Sequence, residues 1–258
     1  MGAIFNTFIY QPIYNLLVLT YNIVPFHDFG IAIIIVTVLI KLVLVPLSKK
    51  QIESQKKMQE LQPKIKETQN KYKNDKEKQT KALMELYKTH KTNPFSGCLP
   101  LIFQLVFLIA IYRVLFNISN AGLRVDSSAL YSFVANPGQI NQYFLGIVDL
   151  SKSLNLGQLT IASVPHIILV ILAAGAQYYQ TKMLMGKQPK PVKDNTKKDQ
   201  KEDIAQMMSK QMLYMGPLLT LFIGIKFPAG LALYWLVSTA FAVAQQYQLE
   251  KKSLEPAK

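Results

Sequence analysis

The sequence has little of the side-chain chemistry on which most enzymes depend. Its 258 residues include a single cysteine, Cys98, and three widely separated histidines, His27, His90 and His166. One cysteine cannot form an internal disulfide, and these residues show neither the spacing of a zinc site nor a Cys–His nucleophile pair. The chain also lacks a glycine-rich phosphate loop and a Ser/His/Asp set. We therefore expect no catalytic residue, no metal and no cofactor, and interpret the protein as a non-enzyme.

Acidic residues are also scarce, and the charges are unevenly spread. Asp and Glu number 15 against 29 Lys and Arg, which gives a net charge of +14. Half of the residues are hydrophobic and 17% are charged, and long stretches carry almost no charge. Such a composition argues against disorder. The separation of apolar runs from basic runs is typical of a polytopic membrane protein.

Five apolar runs are candidates for membrane spans, because about 17 to 25 apolar residues cross a hydrocarbon core of about 30 Å. The runs are Phe29–Leu47, Leu99–Ile118, Leu159–Tyr179, Leu213–Ile225 and Phe227–Gln245. The last two are separated by Lys226 and by a Pro and a Gly that break a helix, so we expect a tight turn there.

The distribution of lysines predicts the orientation of these spans. Three segments, 49–91, 182–210 and the residues after Gln245, hold 24 of the 29 basic residues. The positive-inside rule places them in the cytoplasm. Alternation along five spans then puts the N-terminus outside and the C-terminus in the cytoplasm.

The predicted fold is all-α: five transmembrane helices with an N-terminal interfacial helix and a cytoplasmic helical hairpin. The segments are the interfacial amphipathic helix (1–25), span one (26–48), the cytoplasmic hairpin (49–97), span two (98–118), an extracytoplasmic connection (119–157), span three (158–182), a flexible cytoplasmic loop (183–210), spans four and five as a hairpin (211–247) and a short cytoplasmic tail (248–258).

Two of these segments need comment. Residues 1–24 mix aromatic and amide side chains without Lys or Arg, which favours a helix in the membrane interface with its aromatic side towards lipid. A sixth span is the alternative. In 49–97, apolar residues recur at near-helical spacing on both sides of Asn74-Asp75, which predicts two antiparallel helices.

Lys41 is the most informative residue inside a predicted span. A lysine at the centre of a membrane helix costs roughly 2.5–3.5 kcal/mol on insertion scales. One interpretation is that its side chain snorkels to the inner headgroups. The other is that it faces a wet cavity within the helix bundle, and Thr37, four residues earlier, shares its helix face.

Further polar side chains fall at mid-depth or in the inner half of the spans. They are Gln104 in span two, Gln177 in span three, and Tyr234, Trp235 and Ser238 in span five. Each amide or hydroxyl alone is explained by an interhelical hydrogen bond. Their shared depth predicts a polar pocket open to the cytoplasm and to lipid. No Asp or Glu lies in the five apolar runs, so the pocket suits transient capture of an anionic segment, such as the acidic tail of a nascent membrane protein.

Four motifs, taken in order and spacing, resemble those of the YidC/Oxa/Alb family of membrane protein insertases. They are Lys41-Leu-Val-Leu-Val-Pro46-Leu, Leu61-Gln-Pro-Lys-Ile65, Asn93-Pro-Phe-Ser-Gly-Cys-Leu-Pro100 and Phe227-Pro-Ala-Gly-Leu-Ala-Leu-Tyr-Trp235. The similarity covers about residues 25 to 250. The absence of a large domain before the first span resembles the short bacterial type.

The resemblance implies a five-helix core with a hydrophilic groove that inserts and helps to fold new membrane proteins, independently of or together with the Sec translocon. Its site would comprise Thr37, Gln177, Tyr234 and Trp235 beside Lys41, where the family usually has arginine. Implied partners are nascent proteins with short, often acidic tails, the Sec translocon, the lipid bilayer, and the ribosome and signal recognition particle pathway through the hairpin, with no specific nucleic acid. The implied location is the bacterial cytoplasmic membrane.

Two other functions remain open at this point. One is a small polytopic transporter of an anionic solute or lipid, which would be expected to show repeats and an outer gate. The other is a membrane-anchored RNA or ribosome docking protein, for which the lysine-rich loops are the only support.

Overall fold

The computed structural model describes residues 2–93, 99–185 and 200–254. These are almost entirely helical, which agrees with an all-α fold. The helices are α1 (Ala3–Phe5), α2 (Gln11–Ile23), α3 (Phe29–Val43), α4 (Val45–Lys71), α5 (Lys76–Thr89), α6 (Leu99–Asn120), α7 (Val164–Met185), α8 (Gln200–Lys226) and α9 (Ala229–Leu254). The middle of the 93–100 motif, half of the predicted loop 183–210 (residues 186–199) and the end of the tail lie outside the described residues.

The N-terminal helix packs into the protein rather than placing its tyrosines in lipid. A π-helical segment, Asn6–Tyr10, joins α1 to α2. Tyr14 and Tyr21 are 1% and 3% exposed. Their hydroxyls accept hydrogen bonds of 2.8 Å from the backbone N–H groups of Asp126 and Asn141. The predicted aromatic side towards lipid is therefore wrong for these residues, because the connection between α6 and α7 supplies their polar partners.

Helix α3 begins at a cap and ends at a sharp bend. The Asp28 carboxylate accepts from the backbone N–H of Ile31, as an N-cap does, and from that of Leu145. The helix ends at Val43, and α4 leaves at 66°. Pro46 lies in the first turn of α4, where its missing N–H costs nothing. The bend thus falls inside the segment 26–48 that was predicted as one span.

Helices α4 and α5 lie side by side, joined by residues 72–75. Asp75 caps α5 by accepting from the Lys78 N–H at 3.0 Å. Near this turn, Gln79 Nε2 donates to the Gln69 carbonyl at 2.7 Å. Leu61, a residue of α4, is buried. The two helices fall within 49–97, and the cytoplasmic helical hairpin predicted for this segment remains a prediction.

The connection 119–157 is folded, which the sequence did not predict. It contains two short antiparallel strands, β1 (Tyr143–Phe144) and β2 (Val148–Asp149). Phe144 lies directly on α3 over Gly30, where a Cβ would come within 2.6 Å of the Phe144 Cβ. Glycine is therefore required for this close approach. Buried residues of the connection, including Ile140 and Leu150, extend the helical core.

Helix α9 lies at the centre and packs against α3, α6, α7 and α8. Helix α8 ends at Lys226 and α9 begins at Ala229, so a two-residue turn separates them. This turn falls within the predicted break at 226–230. The connection covers this turn, because the N–H groups of Ala229 and Gly230 donate to the carbonyls of Lys152 and Leu150. We call this the connection end of the bundle, and the opposite end the α4–α5 end.

Among the described residues, one helical stretch, Ile161–Met185, is long and apolar enough by itself to cross a membrane. Helices α3 and α4 qualify only when taken together across their bend. Gln104–Asn120 and Leu213–Lys226 are shorter apolar stretches. The count of five spans therefore remains a prediction.

Candidate functional site

Three of the predicted site residues meet on a single oxygen atom. Lys41 Nζ on α3 lies 3.1 Å from Gln104 Oε1 on α6. Ser238 Oγ on α9 donates to the same Oε1 at 2.9 Å. The cluster therefore ties together three helices that are far apart in sequence. Lys41 and Gln104 are half-buried, and Ser238 is 1% exposed.

The orientation of the Gln104 amide follows from the chemistry of its partners. Lysine has three donors and no acceptor, so the amide must present its oxygen to Lys41. Its Nε2 then points elsewhere, and it is buried without a hydrogen-bond partner among the described residues. A buried donor in this state costs about 1–3 kcal/mol. Such a group is a natural contact for a ligand that brings an acceptor.

A second polar contact lies beside this cluster on α9. Trp235 Nε1 donates to Gln177 Oε1 on α7 at 3.0 Å. Tyr234, 2% exposed, contacts Ser238 one turn further along α9. The Trp235–Gln177 hydrogen bond therefore holds α7 to α9, and Tyr234 lies next to the cluster through its contact with Ser238.

Thr37 is placed differently from the other predicted residues. It is 1% exposed, and its hydroxyl donates to the Ile33 carbonyl of its own helix at 2.6 Å. Its side chain lies one turn before Lys41 on α3 and separates the apolar core from the cluster. Thr37 therefore borders the site, and its hydroxyl is engaged in a hydrogen bond within α3.

The polar residues begin where the main apolar core ends. On α3 the buried apolar residues stop at Val36, and on α9 they stop at Trp235. On α6 they start at Leu108, one turn after Gln104. The core thus fills the connection end, and the cluster lies at a common level on the α4–α5 side of it. The three polar side chains therefore share one level in the bundle, and their depth in a membrane remains a prediction.

The charge of Lys41 has only neutral partners in the described part of the chain. Its Nζ contacts an amide oxygen, and no carboxylate among these described residues forms an ion pair with it. The same residues contain no group of three His, Cys, Asp or Glu side chains that could hold a metal ion. A half-buried cation without a counter-charge attracts an anion more strongly than one in water does.

Sequence reasoning missed an apolar groove between α7 and α9. It has a volume of about 470 Å³ and is lined by Ala176, Tyr179, Ala240, Val243, Ala244 and Tyr247. The signal available was the pair of alanines four residues apart on α9, since small residues at this spacing leave room on one helix face. The sequence also gave no sign that Ser238 and Lys41 share one acceptor.

Comparison with known proteins identifies relatives over nearly the whole chain. The family model of the 60Kd inner membrane protein matches residues 20–256. The membrane protein insertase YidC of Fusobacterium nucleatum is 35% identical over 225 residues, which cover 87% of this chain and 87% of that protein. Its namesakes in Magnetococcus marinus and Aeromonas salmonicida are 32% and 34% identical over 95% and 96% of this chain, which spans 36% and 38% of their lengths.

Proposed function

Because the chain belongs to the 60Kd inner membrane protein family, that of the YidC membrane protein insertases, we propose that it inserts newly made proteins into the bacterial cytoplasmic membrane. The substrates in this proposal are small membrane proteins with short, often acidic tails. Larger substrates would be handled together with the Sec translocon.

One observation carries the mechanism: Lys41, in the last turn of α3, contacts an amide and, within the described part of the chain, pairs with no carboxylate. A hydrophilic tail is opposed in the bilayer chiefly by the cost of leaving water across about 30 Å of hydrocarbon. A polar site partway across shortens the dry path. The cation at that site then favours tails that carry Asp or Glu.

The proposed topology places the α4–α5 end in the cytoplasm. The spans are α3, α6, α7 and the apolar parts of α8 and α9, with the N-terminus outside. The apolar core then closes the outer side, and Lys41, Gln104 and Ser238 lie towards the inner leaflet. The helix pair α4–α5 would contact the ribosome and the signal recognition particle pathway.

Insertion into proteoliposomes tests this function. The substrate is a single-span protein with an acidic N-terminal tail, and tail translocation is scored by protection from added protease. We expect Lys41→Arg to keep insertion, Lys41→Ala to weaken it and Lys41→Glu to abolish it. Lys50→Ala, exposed on α4, is the control for loss of one positive charge.

Two outcomes would count against parts of the proposal. Normal insertion by Lys41→Ala would show that the cation is incidental to the insertase. No insertion of any tail by the wild type would contradict an autonomous insertase.

A further inference from the structure

The oxygen of Gln104 occupies a position at which two donors from other helices converge. Lys41 Nζ approaches it from α3 at 3.1 Å and Ser238 Oγ from α9 at 2.9 Å. A cation and a hydroxyl aimed at one point form a site for a negatively charged oxygen. In the described structure a neutral oxygen of the protein itself fills that site.

The remaining half of the amide is unsatisfied. Gln104 Nε2 is buried and lacks a partner among the described residues. The arrangement therefore combines a charged donor on a neutral acceptor with an unused donor beside it. Hydrogen bonds between charged partners are roughly twice as strong as neutral ones.

We propose that Gln104 is a placeholder for a substrate carboxylate and determines which tails the site accepts. This inference rests on the proposed insertase function. An incoming Asp or Glu side chain displaces Oε1 and receives the hydrogen bonds of Lys41 and Ser238. The released amide turns and donates Nε2 to the second carboxylate oxygen, so that all three donors are satisfied.

The placeholder discriminates against neutral polar tails. An Asn or Gln side chain from a substrate would replace one amide oxygen with another, so that it gains no charge-assisted bond. A carboxylate gains one. We expect a preference of about tenfold for an Asp-containing tail over the matched Asn tail, since this ratio corresponds to about 1.4 kcal/mol, the order of the extra free energy of a hydrogen bond to a charged group.

The first test fixes a carboxylate in the placeholder position. Gln104→Glu supplies a permanent partner for Lys41, and insertion of the Asp tail should fall about tenfold to the level of the Asn tail. Insertion of the Asn tail should fall by a smaller factor than insertion of the Asp tail. Gln62→Glu, exposed on α4, is the control for an added negative charge.

The second test moves the cation to the neighbouring helix. Lys41→Gln alone should lose the preference for the Asp tail. The exchange variant, Lys41→Gln with Gln104→Lys, should regain it, because the cation and the amide then meet at the same point in reversed roles. Ser238→Ala removes one donor by a conservative change, and it should reduce the preference for the Asp tail.

The outcomes separate this inference from the proposed function. Equal insertion of both tails by the wild type would leave the insertase standing and overturn the placeholder. Insertion of neither tail would contradict the insertase itself. If Gln104 has a purely structural role, its variants should insert both tails less well and should have a lower Tm. The exchange variant should then not recover the preference for the Asp tail.

Discussion

The side chains of Lys41 and Gln104 meet at 3.1 Å although the residues are 63 positions apart in the sequence. The contact joins a cation to a neutral amide within a helix bundle. It is a poor arrangement for stability, because a half-buried charge gives up hydration and gains no counter-charge. Polar groups of this kind inside a membrane protein are usually kept for function.

Lys41→Met should therefore make the protein more stable and less active. Methionine is similar in length and removes the desolvation cost, while Ser238 still satisfies the Gln104 oxygen. A gain of about 1 kcal/mol would raise Tm by roughly 2–4 °C for a chain of this size. Thermal unfolding in detergent measures the stability, and proteoliposome insertion measures the activity. Lys50→Met should change neither. A lower Tm for Lys41→Met would show that the lysine stabilises the fold.

Gly30→Ala should destabilise the contact between α3 and the strand pair. The added methyl would come within 2.6 Å of the Phe144 Cβ, and such overpacking typically costs about 1–3 kcal/mol. Gly175 on α7 is the matched control, because a Cβ there meets nothing within 4 Å. Gly175→Ala should be neutral or stabilising. The double variant Gly30→Ala with Phe144→Gly, which removes that Cβ, should lose the clash, and additive losses in it would contradict the proposed contact.

The sequence predicted more about the candidate site than about the fold that surrounds it. Span depth alone brought Lys41, Gln104 and Ser238 to one level, because hydrophobic runs fix position along the membrane normal. Their convergence on one oxygen depends on how α6 is rotated against α3 and α9, which only packing decides. The bend at Leu44 had a local sign in Pro46, but the apolar run continued through it.

The fold of the connection 119–157 could not be predicted from local pattern. Its partners lie more than a hundred residues earlier: Asn15 donates to the Ala129 carbonyl at 2.9 Å and accepts from the Tyr131 N–H at 2.6 Å. Amide and tyrosine side chains in residues 1–24 suggested a wet interface. The same chemistry serves equally well for hydrogen bonds to a folded loop, and here it does so.

Acid should loosen the connection through Asp149. Burial raises the pKa of this carboxyl, but hydrogen bonds from Ser151 and Lys152 outweigh it, so its pKa is lowered overall. A lowered pKa in the folded state adds stability above the unfolded value of about 3.9, and this stability is lost as pH falls through the folded pKa. Ser151→Ala should lower the stability at neutral pH and reduce the part of it that acid removes.

The measurement is Tm as a function of pH for wild type and Ser151→Ala. Between pH 5 and 8, taken as the range in which the carboxylate stays ionised, the two curves should run parallel. Below about pH 4 the wild type should fall more steeply than the variant, so that the two curves converge. Asp126, whose pKa is also lowered by hydrogen bonds from Ser128, is the second acidic group of the connection and is unchanged in both proteins. If the two Tm curves also stay parallel below pH 4, Ser151 makes no contribution to the acid dependence of the stability.

Trp235 offers a direct optical view of the site, because it is the only tryptophan in the chain. Its indole N–H donates to Gln177 Oε1 at 3.0 Å, and its side chain is 3% exposed. Gln177→Leu removes the acceptor and leaves a buried donor unsatisfied, which should cost about 1–3 kcal/mol. The tryptophan emission should shift to shorter wavelength, because an apolar side chain replaces a polar one beside the ring.

Gln158→Leu, exposed in the connection, is the control and should leave both the emission and Tm unchanged. The same fluorescence should respond to an acidic tail peptide. Trp235 and Ser238 lie one turn apart on α9, and Ser238 would exchange its hydrogen bond to Gln104 for one to the incoming carboxylate. This response should disappear in Ser238→Ala and persist in Gln158→Leu. If Gln177→Leu leaves emission and Tm at wild-type values, the indole hydrogen bond makes no contribution to the site, and α7 is held to α9 by apolar packing alone.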